Sequence, residues 1–433
     1  MRRTRVIQLA RLGDLLQSLP LVRALRAESP VDLVLAFHPG RRLAAEVDRI
    51  HVVEPWSLAR AASRPSLFLH RVVDALGGLE VLRQPVDVQV CLNQDPAATG
   101  LARLLPAKVK RGAGVDGDPY SRWLRVAGED RRAGHTLLAE AMLACAPGLR
   151  VDPPRVGKPG DGDVVLHPGS GSPARRLPLE FWRDLAWHLL EQLPERRLLL
   201  TGGLLEVAEC EALERAIGRP DRVLGLAGRL DLDELQDQLD TAALVVAQDT
   251  GVLHLAAHLT RPVLGLYHGS ASVRETAPWL AGAHVLQAEA PCAPCVEGRP
   301  TCGDWACRER LQPAHVAGVA VALLCGADPP PPPPDCRHAV VEPWGASLAL
   351  RDAAAETCPA CLAPIQLGAL ARNLADGTRE RDRWLMADLE RAALAGMSAA
   401  EWRRRHWSAP PGAPAERWHW LAATRLEGSA CRC

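Results

Sequence analysis

Ten short β-rich runs alternate with helical patterns over residues 1–325, and that alternation leaves few folds open to the chain. Runs of this length, separated by amphipathic helices instead of tight hairpin turns, build parallel sheets whose strands are joined by crossover helices. In the first half the expected strands are Arg5–Leu9, Asp32–Ala36, Ile50–Val53, Val86–Leu92 and Lys108–Arg111. Helical patterns such as Leu15–Arg26 lie between them, and Leu137–Cys145 follows the last. The pattern restarts at Val164-Val165-Leu166 and continues through Arg197–Thr201, Arg222–Leu224, Leu244–Ala247 and Val263–Tyr267. Val151–Gly162, with three prolines and three glycines, reads as the linker between the two series. The expected fold class is therefore α/β, with two doubly wound Rossmann-like domains at 1–150 and 163–328.

After Leu324 the composition changes. Pro329–Pro334 is six consecutive prolines, expected to form a stiff polyproline II spacer. Residues 335–433 have a helical pattern and many tryptophans (Trp344, Trp384, Trp402, Trp407, Trp418, Trp420), and read as a small, mainly helical C-terminal module of unassigned role.

Charge is uneven along the chain although its formal net charge is zero. Residues 1–150 carry 22 Lys+Arg against 15 Asp+Glu, whereas residues 151–328 carry 16 against 24. A basic first half suits an anionic partner, and a solvated surface with random bias gives the same count. Nothing in the balance calls for nucleic acid. The longest apolar stretch, Val316–Ala327, has 12 residues, too few to span a bilayer. The apolar run after Met1-Arg2-Arg3-Thr4-Arg5 is too short for a signal-peptide core, so a cytoplasmic location is expected.

The chemistry-bearing residues fall at expected strand ends, where ligands sit in doubly wound sheets and where two such domains form a cleft. Asp249-Thr250-Gly251-Val252-Leu253-His254 directly follows the apolar run Ala243–Ala247. A glycine there lets backbone approach a ligand, and the first N–H groups of the next helix favour an anion. A second junction of this type is His167-Pro168-Gly169-Ser170-Gly171-Ser172, followed by Arg175-Arg176-Leu177-Pro178. Small residues, hydroxyls and a guanidinium suit a diphosphate, and a plain loop fits the same residues. Thr201-Gly202-Gly203-Leu204-Leu205-Glu206 closes a further strand, with Glu206 able to accept from ribose hydroxyls or simply to favour a helix start. At the first strand end, Arg11-Leu12-Gly13-Asp14 places a carboxylate at a helix N-terminus, as a proton acceptor or as a helix cap.

Taken in order, Leu12-Gly13-Asp14, His167 to Arg176, Thr201-Gly202-Gly203 and Asp249 to Ala257 resemble glycosyltransferase family 9, the family of bacterial ADP-heptose:lipopolysaccharide heptosyltransferases. The similarity covers residues 1 to about 325. It implies a GT-B fold and an inverting, metal-independent transfer from a nucleoside-diphosphate sugar, ADP-heptose being the first expectation. The implied acceptor is an anionic glycolipid or glycan of the cell envelope, with peripheral contact at the inner membrane. By position, Asp14 would be the general base, and Glu206 would bind the nucleoside. Asp249 would bind sugar hydroxyls. Gly169, Ser170, Ser172, Arg175, Thr250, Gly251 and His254 complete the expected donor site. Arg175 stands where the family usually has lysine, and Leu177 where it usually has an aromatic residue, so the donor sugar can differ from heptose.

Cys292, Cys295, Cys302 and Cys307 form C-x2-C-x6-C-x4-C, a spacing that can hold a structural zinc or remain as thiols. No cofactor is expected for catalysis. In the tail, Trp402-Arg403-Arg404-Arg405-His406-Trp407 suits an amphipathic helix packed on its own module, or contact with an anionic membrane. Two other functions use the same features: an epimerase of similar two-domain fold, and a sugar-nucleotide-binding scaffold without catalysis.

Overall fold

A computed structural model describes residues 2–53, 80–118, 120, 121, 123, 124, 137–146, 148, 149, 151–290, 292–295, 305–344 and 347–352. They fall into two compact units, one made by Met1–Asp130 with Leu138–Asp152, the other having Pro153–Asp376 as its body.

The first unit is built on a five-stranded parallel sheet of order β3-β2-β1-β4-β5. Its strands are β1 (Thr4–Gln8), β2 (Val31–Leu35), β3 (Arg49–Val52), β4 (Val86–Cys91) and β5 (Ala107–Gly112). Helices α1 (Leu12–Glu28), α2 (Gly40–Ala44), α3 (Pro96–Leu104) and α4 (Leu138–Leu143) accompany them. Every residue of β1 and β2 is buried, the polar Thr4, Arg5, Gln8 and Asp32 among the apolar ones, as a sheet covered on both faces requires. Arg5 carries the largest of these polar side chains. Its guanidinium donates to Gln89 Oε1 at 3.2 Å and to the Gln84 carbonyl at 2.9 Å, so a charge in the sheet is held by oxygen atoms. Helix α3 starts where Asp95 accepts from the Ala97 and Ala98 N–H groups, with Pro96 at its first position.

The second unit has an eight-stranded sheet of order β13-β12-β11-β10-β9-β6-β7-β8. Its parallel strands are β6 (Val164–His167), β7 (Leu198–Leu200), β8 (Val223–Gly225), β9 (Leu244–Gln248), β10 (Val263–Tyr267) and β11 (His284–Ala288). Helices α5 (Leu179–Gln192), α6 (Val207–Ile217), α7 (Leu232–Thr241), α8 (Gly251–His258), α9 (Val273–Thr276) and α10 (Pro313–Cys325) complete it. Helix α5 buries Phe181, Trp182, Leu185, Ala186, Leu189 and Leu190, one stripe at helical spacing, in a core shared with Val316, Val319 and Ala320 of α10. Each such large side chain contributes roughly 1.5–3 kcal/mol by leaving water. Helix α10 ends at Gly326, whose φ of 65° a side chain would strain.

The expectation of a helical module from residue 335, set off by a proline spacer, does not hold for its first part. Cys336–Trp344 (β12) and Ser347–Asp352 (β13) are antiparallel strands, and β12 pairs with β11 to extend the same sheet. The proline run lies on the unit: a Cβ at Gly318 of α10 would be 3.1 Å from Pro330 Cγ. Backbone pairing at the open edge of β11, available to Ala339-Val340-Val341, outweighs the tail's tryptophan- and arginine-rich composition. Residues 353–433, including Trp402–Trp407, lie outside the described residues. Among the described residues no helix is long and apolar enough to cross a membrane.

Candidate donor site at a topological switch point

In each sheet the order of strands reverses once among the parallel members. The reversal lies between β1 and β4 in the first unit, and between β6 and β9 in the second. Connections leave such a pair of strands in opposite directions, so a crevice opens at their carboxyl ends. Three of the four sequence motifs fall on these two places, and the fourth, Thr201–Glu206, at the end of neighbouring β7.

At the second unit's switch point, β6 delivers the loop from Pro168 to Pro178 and β9 delivers Asp249. The loop is clasped by a residue that sequence reasoning missed. Gln248, fully buried, accepts from Leu177 N at 2.6 Å, and its amide donates to Pro168 O at 2.8 Å and Gly169 O at 3.2 Å. One side chain therefore ties both ends of the loop to β9. Arg176 braces its middle, donating to Ser170 O at 2.9 Å and to Glu209 of α6 at 3.1 Å. Arg308 donates to Pro173 O at 2.7 Å, and Gly269 leaves space for the loop, since a Cβ there would lie 1.9 Å from Ala174 O.

Within this frame Arg175 Nη1 donates to Asp249 Oδ2 at 3.0 Å, while His254 Nε2 lies 3.5 Å from Asp249 Oδ1. Burial opposes ionisation of Asp249, but His254 and then Arg175 outweigh it, and its pKa lies below the usual carboxylate range. Asp249 is thus an anion held between two nitrogen donors, and His254 supports it from a position only 5 % exposed. Thr250 is the N-cap of α8 without a side-chain capping bond, and its buried Oγ1 has no hydrogen-bond partner among the described residues. Gly251 opens that helix. Ser170 and Ser172 are both buried in the clasped loop, with Ser172 N donating to Ser170 Oγ at 3.4 Å.

Glu206 stands at the end of the neighbouring strand β7. Its Oε2 accepts from Gly203 N at 2.8 Å, and its other oxygen lies over Gly169, where a Cβ would approach to 2.0 Å. A methyl group at Gly169 would displace the Glu206 carboxylate from the space it occupies. His167 bonds Thr201 Oγ1 through Nδ1 at 3.1 Å, and burial lowers its pKa against the pull of Glu206. Sequence reasoning brought Gly169, Ser170, Ser172, Arg175, Glu206, Asp249, Thr250, Gly251 and His254 to this place. It gave no role to His167 and Thr201, though both open a quoted motif, and it missed Gln248 and Gly269, which help hold the others.

The first unit's switch point carries Asp14, in the first turn of α1 and partly buried. Its Oδ2 accepts from Arg11 N at 3.3 Å, the contact of a helix-capping carboxylate. Asn93, just beyond β4, accepts from Leu9 N and donates to Gln8 Oε1, while Gln8 Nε2 donates to Asp14 O at 3.3 Å. Gln8 and Asn93 thus fix the loop that presents Asp14, and neither was singled out by sequence.

Of the cysteines, Cys295 and Cys307 are buried and Cys292 is half-buried, and Cys295 N donates to Gly269 O at 2.8 Å. Cys302 lies outside the described residues, and among the described residues no group of three or more potential ligands converges.

A doubly wound α/β unit with such a crevice at its switch point defines the class: the fold, with its parallel sheets, is similar to that of GT-B glycosyltransferases. Residues 145–305 match the profile of glycosyltransferase family 9 (heptosyltransferase), so the likeness carried by the motifs is to that family. Lipooligosaccharide heptosyltransferase 2 of Haemophilus influenzae is 32% identical over 108 residues, which are 24% of this chain and 30% of that protein. The matched stretch thus spans about a third of the curated relative. Among solved structures, the glycosyl transferase family 9 protein of Veillonella parvula aligns with a TM-score of 0.56 and 14% identity, covering 75% of this chain and 98% of its own. E. coli ADP-heptose lps heptosyltransferase II aligns with a TM-score of 0.52 and 19% identity, covering 75% and 99%. An E. coli heptosyltransferase solved with ADP aligns with a TM-score of 0.50 and 20% identity, covering 66% and 93%.

Proposed function

We propose that this chain is an inverting glycosyltransferase, moving heptose or a related sugar from a nucleoside-diphosphate donor to a hydroxyl of an anionic, lipopolysaccharide-type glycolipid. ADP-heptose is the first candidate donor, as the heptosyltransferase relatives suggest. The single observation that carries the reading is the Arg175–Asp249 pair, set in a clasped loop at the switch point beside the start of α8. Arg175 and the unpaired N–H groups at that helix start offset charge growing on the departing diphosphate. Asp249 accepts from sugar hydroxyls, and Glu206 from the ribose. The acceptor oxygen attacks the anomeric carbon as the bond from that carbon to the diphosphate oxygen breaks. Asp14 takes the acceptor's proton, and the nucleoside diphosphate leaves with the bonding pair. No metal enters this scheme. A structural zinc on Cys292, Cys295, Cys302 and Cys307 requires Cys292, Cys295 and Cys307 to come together, which these described thiols do not do here; metal content, with Cys295→Ser as the control, tests it.

The test is a donor panel, measuring nucleoside-diphosphate release from ADP-, GDP- and UDP-sugars with and without glycan acceptor. Release that depends on acceptor is expected. An Asp14→Asn variant should bind donor normally and transfer about 100-fold or more slowly; undiminished transfer would remove the assigned base. Donor binding with no turnover under any acceptor would favour a scaffold, and inversion at the sugar without transfer would favour an epimerase.

A further inference from the structure

Along the second unit's sheet the strands β9, β6, β7 and β8 stand in that order, and the groups at their carboxyl ends change in kind along the row. Arg175 and Asp249 meet at the switch point between β9 and β6. Glu206, at the end of β7, turns its carboxylate back over Gly169 of the β6 loop. One step farther, the loops after β7 and β8 are joined by Gly228 N, which donates to Gly202 O at 2.9 Å. Leu204 lies across that junction, its Cδ2 placed 3.4 Å from where a Cβ at Gly228 would be. Gly228 has a φ of 69°, and a side chain there would also run into Val207 Cγ2 at 2.5 Å, so the glycine keeps the hollow beside Leu204 open.

Leu204 and its neighbour Leu205 are 81% and 100% exposed. A scattered exposed leucine needs no explanation. These two are distinguished by where they are held. Their turn, Leu204–Glu206, is closed at both ends of one hydrogen-bonded ring: Gly203 N donates to Glu206 Oε2 at 2.8 Å, and Glu206 N donates to Gly203 O at 3.0 Å. The apolar pair is thereby fixed next to the carboxylate. From the switch point to the β7–β8 junction is about two strand spacings, roughly 10 Å. A ribose and its α-phosphate bridge such a gap, which leaves the base over the leucines.

We propose that the base of the nucleoside-diphosphate donor rests on Leu204 and Leu205, and that these side chains set a preference for a purine. The inference rests on the reading of Arg175 and Asp249 as the diphosphate site and of Glu206 as the ribose acceptor. A ring face covers leucine's apolar surface, and two fused rings take more of it out of water than one. The contact carries no charge, so it selects by area.

Calorimetric titration of the full chain with ADP and UDP tests this. Wild type should bind ADP at least about tenfold more tightly than UDP. Leu204→Ser and Leu205→Ser should each weaken ADP about fivefold and UDP less, so that the ratio narrows, most of all in the double variant. Methionine at either position should keep most of the affinity. The thermal midpoint should stay unchanged in all of them, because both side chains are exposed. UDP binding as tightly as ADP in wild type, undiminished ADP affinity in the double serine variant, or equal losses for the two nucleotides would each overturn the assignment. Loss of pelleting with phosphatidylglycerol vesicles in the double variant, with ADP binding intact, would assign the leucines to a membrane instead. Binding of neither nucleotide by wild type would sink the donor reading and this one with it. ADP binding weakened by Arg175→Ala but not by the serine pair would sink this one alone.

Discussion

Gln248 Oε1 accepts from Leu177 N at 2.6 Å, so the loop that carries Arg175 is fastened to the strand that carries Asp249. The two halves of the proposed diphosphate site cannot drift apart without breaking that bond. Gln248→Leu keeps the size but leaves Leu177 N and the Pro168 and Gly169 carbonyls unpaired in the interior. Each unmet group costs about 1–3 kcal/mol, so a loss of roughly 3 kcal/mol or more in urea unfolding is expected. Donor KM should rise more than tenfold. An unchanged unfolding midpoint would show that the clasp carries no energy.

Arg175→Lys keeps the charge and loses the fork. Lysine can face Asp249 or the diphosphate as a point charge, but not both through parallel bonds. We expect kcat/KM for the donor to fall roughly 10- to 100-fold, equivalent to about 1.4–2.8 kcal/mol, with little change in stability. Arg175→Ala should cost more in both respects, because it leaves the buried Asp249 with His254 alone. Full activity in the lysine variant would show that the pair only holds the loop.

Gly169→Ala would push a methyl group to 2.0 Å from Glu206 Oε1, and the carboxylate would have to move. Nucleotide affinity should drop about tenfold while the fold persists. The decisive comparison is a double-mutant cycle with Glu206→Ala. With the carboxylate gone, the added methyl should have almost no further effect; additive losses would mean that Gly169 acts on the backbone alone.

Acid should destabilise the second unit through His268. Burial first, then the charge of Arg308, pushes its pKa down to about 3. An unfolded histidine titrates near 6.5. The unfolded chain therefore binds this proton first, and stability is complete above about pH 6.5 and falls as pH drops toward 3. The loss is at most roughly 1.4 kcal/mol per pH unit for this single proton. Urea unfolding of wild type and His268→Gln at pH 7, 6 and 5 should show the variant's slope to be shallower. Parallel slopes would place the proton elsewhere.

How much of this was legible in the sequence depends on the kind of signal each residue gives. Strands such as β6 and β9 are continuous apolar runs that end in glycine, hydroxyl or acid, so both position and polarity mark them. Arg175, Glu206 and Asp249, proposed here to face the donor, follow from those ends together with the resemblance. Gln248, Gln8 and Asn93 do not. An amide has no characteristic spacing, and its role depends on which carbonyl or N–H the fold brings within reach. The strand β11 is a short run, His284–Ala288, with polar residues at His284 and Gln287, too brief to separate from a loop. The strands β12 and β13 were hidden by composition, since pairing with an edge is a long-range event that local pattern does not record.

The placement of β12 along β11 gives the chain's later part a protective task. Stop the polypeptide at the proline run, and the backbone amides and carbonyls of His284–Ala288 become an open rail for another molecule's strand. A shortened version should consequently self-associate, so any attempt to isolate the second unit must keep at least the hairpin that ends at Asp352.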